Sequence, residues 1–77
     1  MIIKSDNIDF FVEHGRYDRL CINDPRVTGI EKFPTTVEVI AIENAKITNL
    51  PRIPEGVISL HIRNTPLVEL PNIPKSL

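Results

Sequence analysis

Apolar residues recur along this chain with a step of 20 positions. Val37, Ile40, Ile42, Ile47 and Leu50 return as Val57, Leu60, Ile62, Leu67 and Leu70. Prolines keep the same step: Pro34 and Pro51 return as Pro54 and Pro71, and Ile53-Pro54 returns as Ile73-Pro74. Residues 33–52 therefore lie over residues 53–72 without a gap, and residues 73–77 begin a further unit and stop. Let the first aliphatic of each unit (Val37, Val57, Leu77) count as zero. Apolar residues then stand three, five, ten and thirteen places on. Positions three and five share one face of a strand, and the residues between them point the other way. The rest of each unit must bring the chain back to lay the next strand parallel to the last. A fixed period of this length predicts a solenoid, in which each unit buries its apolar columns on its neighbour.

The frame extends backwards in weaker form. Residues 13–32 fit it with Tyr17 at zero, followed by Leu20, Ile22, Val27 and Ile30, but His14 and Glu31 stand where the prolines would be. Short strands are thus predicted at 19–23, 39–43 and 59–63. The predicted core columns are Leu20, Ile40, Leu60 and Ile22, Ile42, Ile62, with Val27, Ile47, Leu67 and Ile30, Leu50, Leu70 behind. Over residues 1–12 only Ile2 and Phe10 fall on the frame. That segment is read as an N-terminal cap, with Ile8, Phe10, Phe11 and Val12 sealing the open end of the core, because terminal units of solenoids are atypical. The whole is one domain: cap 1–12, degenerate repeat 13–32, repeats 33–52 and 53–72, and a partial repeat or C-terminal cap at 73–77.

The run Leu50-Pro51-Arg52-Ile53-Pro54-Glu55-Gly56-Val57-Ile58-Ser59-Leu60-His61-Ile62-Arg63-Asn64 resembles the leucine-rich repeats of the short LPX subclass, found in effectors of bacteria with type III secretion. The resemblance is strong over 33–77, weak over 13–32 and absent over 1–12. It implies a right-handed, mostly β solenoid of about three 20-residue repeats with an irregular, extended convex side. One departure stands out. The family carries asparagine eight places from zero, as a ladder bonding neighbouring loops; this chain has Pro25, Ala45 and Thr65 there, and Asp24, Asn44 and Asn64 one place earlier. Either the ladder is moved by one residue or the turn is held differently. Some relatives of this subclass add a ubiquitin-ligase domain with its own cysteine. Nothing after Leu77 supplies one here, so that activity does not carry over.

Composition narrows the function. Seventy-seven residues give a small core, and seven prolines both restrict the unfolded chain and keep helix off the return path. The formal net charge is −1 and basic residues are interleaved with acidic ones, which argues against a phosphate-binding surface. The predicted strands carry no exposed aromatics for base stacking. A single cysteine permits no internal disulfide, and the N-terminus has charges where a signal peptide needs an apolar run. No stretch approaches a membrane span of ~20 apolar residues. A cytoplasmic setting is expected, of a bacterium or of an infected host cell.

Chemistry is sparse. The sequence has no phosphate loop, metal-ligand spacing or nucleophile motif, so neither a cofactor, a metal nor a catalytic residue is assigned, and a free-standing enzyme is the least favoured reading. Cys21 and His61 share a column but stand two strands apart. At about 4.8 Å per strand that is roughly 10 Å, beyond the ~3 Å reach of a nucleophile–base pair and beyond a shared zinc.

Binding is expected on the concave strand face. Its outward columns are Arg19, Val39, Ser59; Cys21, Ala41, His61; and Asn23, Glu43, Arg63. The middle is small and weakly apolar, and the rim carries both signs of charge, a pattern suited to a protein partner. Arg19, His61 and Arg63 are the best anchors by residue type. Strand Ser59–Arg63 is the last complete one, so its outer edge should offer unpaired backbone groups. A second copy of the chain, another partner or the tail itself, with Ile73 and Leu77 plugging the core, would cover it. The expected function is non-catalytic protein binding, as an inhibitor or adaptor of bacterial or bacteriophage type. The alternative is a substrate-recognition fragment of a larger secreted effector such as a ubiquitin ligase; nucleic-acid binding ranks below both.

Overall fold

The computed structural model describes residues 1–68 and 73–75. Strand is the dominant regular structure. In chain order the strands are β1 (Ile2–Ile3), β2 (Val12–Glu13), β3 (Arg19–Asn23), β4 (Gly29–Ile30), β5 (Val39–Glu43) and β6 (Ser59–Arg63), with one 3-10 turn at Ile8–Phe11. The three long strands occupy the residues that the alternating pattern predicts. They pair in parallel in the order β3-β5-β6, extended at one end by β2, which runs antiparallel to β3. The sheet is open, and the whole measures 28 × 24 × 19 Å.

The register repeats the period of the sequence. Leu20 pairs with Ile40 and Ile40 with Leu60, while Ile22, Ile42 and Ile62 stand in the next row but one. The turns repeat too. Val37 N–H donates to Pro34 O at 3.4 Å and Val57 N–H to Pro54 O at 3.2 Å, so each unit enters its strand through the same proline-led turn. Between units, Glu38 N–H donates to Asp18 O and Ile58 N–H to Glu38 O, at 2.9 and 2.7 Å.

One apolar core runs beneath the sheet. Leu20, Ile22, Val27, Ile30, Val37, Ile40, Ile42, Ile47 and Val57 are all buried, as the frame expects. Phe33 and Ile53 join them from the position just before each unit's proline, and so do Ala45, Ile3 and Ile8. Leu50, Leu60, Ile62 and Leu67 are half-buried. The two strand residues among these lose cover because β6 is an edge, with β5 as its one strand neighbour among the described residues. Leu70 and Leu77, expected in the core and the cap, lie outside the described residues.

The N-terminal segment caps the core by a route the sequence does not announce. β1 pairs in parallel with β4, Ile2 opposite Gly29 and Ile3 opposite Ile30, so Ile3 enters the core. Ile8 follows it, and Phe11 and Val12 pack against its rim. Two expectations are corrected here. Phe10 is 86% exposed, because the 3-10 turn that buries Ile8 turns Phe10 outward, and Tyr17, expected at position zero, is 45% exposed. A clip holds the segment down: the Ser5 hydroxyl donates to Glu31 Oε1 at 2.8 Å and keeps the Glu31 carboxyl below its ordinary range.

Candidate functional site on the outward strand face

The core side of each long strand takes alternate residues, which leaves the other set on the outward face. Cross-strand pairing lines these up as Arg19, Val39, Ser59; Cys21, Ala41, His61; and Asn23, Glu43, Arg63. All nine expected residues thus meet on one surface, and none is buried. Arg19, Val39, Ala41, Glu43, His61 and Arg63 border one depression of about 550 Å³, which reaches the β6 edge at Leu60 and Ile62. The floor is apolar, through Val39 and Ala41. The walls carry Arg19 and Arg63 against Glu43. Cys21 and Asn23 lie on a smaller neighbouring depression with Ala41 and Glu43.

Asparagines organise one border of this face. Asn64 Nδ2 donates to Asn44 Oδ1 at 2.7 Å, and Asn44 Nδ2 donates to Asn23 Oδ1 at 2.9 Å. Asn44 and Asn64 stand seven places from zero and Asn23 six, so the turn is held by a chain of side-chain bonds. Asn44 and Asn64 hold φ of 56° and 53°, the left-handed region that asparagine tolerates better than other side chains. Ala45, eight places from zero, packs into the core at 1% exposure. The first unit ends differently: the Asp24 carboxylate accepts from Arg26 N–H, Nε and Nη2 at 2.9, 3.1 and 2.9 Å, which holds it below its ordinary range. Asn23 therefore serves as the last rung, with its side-chain oxygen engaged. Asn44→Gly should lose the two side-chain bonds but keep the backbone. Asn44→Ala adds left-handed strain of about 1–2 kcal/mol, so urea unfolding should find the alanine variant the less stable by about that amount.

The remaining groups define what the face can do chemically. The Ser59 hydroxyl and His61 Nε2 are 2.9 Å apart, a contact between same-face neighbours on a strand that the sequence analysis did not draw. The alternation itself could have shown it, since residues i and i+2 share a face. Burial, followed by the nearby Glu13 carboxylate, pushes the Cys21 thiol up, so at neutral pH it stays protonated and poorly nucleophilic. Register places Cys21 and His61 on strands separated by β5. Among the described residues no group of three or more His, Cys, Asp or Glu could hold a metal ion. No helix among them is long and apolar enough to cross a membrane.

A second depression, of about 540 Å³, lies on the return side, lined by Lys32, Phe33, Thr35, Pro51, Arg52 and Pro54. Sequence reasoning missed it, although the recurring prolines Pro51 and Pro54 that line it were legible. No family model, no curated protein and no solved structure matches the chain.

Proposed function

We propose that this chain is a short right-handed leucine-rich-repeat solenoid whose outward strand face binds another protein without catalysis. The observation that carries the reading is the composition of the depression over β3, β5 and β6: a small apolar floor with arginines and a carboxylate around it. Such a centre and rim suit a protein surface. A small-molecule site would be deeper and more enclosed, and nucleic acid would require a basic surface, whereas here Arg19 and Arg63 share the face with Glu43. The in-register strands and the 20-residue step support the solenoid.

A binder of this size acts by occupying a surface. It would inhibit its target stoichiometrically or hold two proteins together, in the cytoplasm of a bacterium or of an infected cell. The second reading is a recognition segment of a larger effector, favoured by the β6 edge, which has β5 as its one strand neighbour among the described residues and where a further repeat would stack.

The test is affinity capture from cytoplasmic extract, followed by titration of the captured protein against Arg19→Ala, His61→Ala and Arg63→Ala. Each side chain is exposed, so stability should move by under about 0.5 kcal/mol. At least one variant should lose about 1 kcal/mol or more of binding, roughly fivefold or more in Kd. If all three bind normally at unchanged melting temperature, the outward face is not the site.

A further inference from the structure

The last described unit is more apolar than the units inside it, in columns that face solvent. One place after zero the chain carries Asp18, then Glu38, then Ile58; eleven places after zero it carries Thr28, Thr48, then Val68. Ile58 is 48% exposed and Val68 77%. Terminal units of a repeat stack ordinarily turn polar, since they meet water. Here polar residues give way to aliphatic ones at the end where Leu60 and Ile62 are also left half-covered.

Backbone direction shows what this end can accept. Ser59 N–H donates to Glu38 O, and Arg63 O accepts from Asn44 N–H. Ser59, His61 and Arg63 therefore spend their backbone groups on β5. By strand alternation, Leu60 and Ile62 aim theirs at the outer edge, which has no strand neighbour among the described residues. The opposite end of the sheet is the two-residue antiparallel β2, a much shorter edge than β6.

We propose that β6 pairs antiparallel with β6 of a second copy about a twofold axis at His61. The register is self-complementary. It sets Leu60 opposite the second copy's Ile62 and Ile62 opposite its Leu60, each a pair with both backbone groups aimed at the partner. His61 meets its own copy at a non-hydrogen-bonded position. Arg63 falls opposite Ser59, so no formal charge faces another of the same sign when the histidines are neutral. The aliphatic side of both strands lies on one face, and the two small cores become one. The occupant is a second copy because this pairing uses the edge donors, acceptors and aliphatic residues of the strand in reciprocal pairs.

Sedimentation equilibrium from micromolar to millimolar chain, with no other protein present, tests the proposal apart from any binding by the outward face. The wild type should approach dimer mass. Ile58→Glu with Val68→Thr restores the residue types of the inner units, and should remain folded while weakening the dimer at least tenfold. In a Cys21→Ser background, His61→Cys should form an intermolecular disulfide under mild oxidation, because paired Cα atoms at such positions lie ~4.5 Å apart, within disulfide reach. A wild type that stays monomeric at millimolar concentration overturns the proposal. So does a double variant that dimerises as tightly as the wild type, or a His61→Cys variant that dimerises without cross-linking.

Discussion

Ile42→Asp abolishes folding. Ile42 is 1% exposed and sits in the central strand, in register with Ile22 on one side and Ile62 on the other. Losing the aliphatic side chain removes about 2–5 kcal/mol of packing. The carboxylate left there has no partner, and the described residues include no buried polar or charged side chain that could solvate it. A domain this small holds only about 3–5 kcal/mol in its core, so the sum exceeds what is available. Circular dichroism should show no cooperative thermal transition. Ile42→Val, which keeps the chemistry, should lower stability by about 0.5–1.5 kcal/mol and remain folded. A cooperatively folded Ile42→Asp chain would falsify the register on which the outward columns depend.

The second large effect is expected at a residue outside the strands. Phe33 is 2% exposed, and it shares a shallow surface depression with Ser5 and Ile8 of the N-terminal segment. It thus stands where the cap meets the repeats. Phe33→Ala should cost about 3–5 kcal/mol, since truncation of a buried ring leaves a cavity that turns and strands cannot collapse to fill. Phe33→Leu keeps most of the volume and should cost less than about 1.5 kcal/mol. Phe10→Ala is the control. It removes the same ring from a site that is 86% exposed, and should move the urea midpoint little. Equal losses for Phe33→Ala and Phe10→Ala would show that the cap is packed in some other way.

These two sites mark what the sequence makes legible. Ile42 is readable because a strand imposes a period of two, and the 20-residue step places each strand beside its equivalent. The nine outward residues follow from the same alternation, which is why they meet on one face. Phe33 lies outside the strands, just before a proline-led turn, where the alternation of two does not reach; the 20-residue step aligns it with Ile53, but its meeting with Ser5 and Ile8 of a distant segment carries no pattern. The same reason explains Phe10 and Ile3: the two-residue pairing of β1 with β4 is nonlocal and carries no pattern. Asn44 lies between the cases. Asparagine in a turn column was visible, but its role as a ladder rung follows from left-handed backbone at Asn44 and Asn64, a conformation the sequence permits without requiring.

The polar features of the face follow from local rules as well. Ser59 and His61 meet because they are same-face neighbours on β6, and Glu43 stands beside Arg63 because the 20-residue step aligns them. What no residue pattern encodes is the identity of the protein that would fit over them. That choice resides in the shape and charge of the partner.

The most direct test is to map the complex in solution. The captured protein is added to isotope-labelled chain held in one association state, and amide shifts are followed residue by residue. The account predicts that the largest changes fall within Arg19–Asn23, Val39–Glu43 and Ser59–Arg63, with Glu31–Thr35 and Pro51–Gly56 little affected. Largest changes in those two return-side segments, with the three strands unmoved, would contradict it and place the binding surface on the proline-lined groove instead.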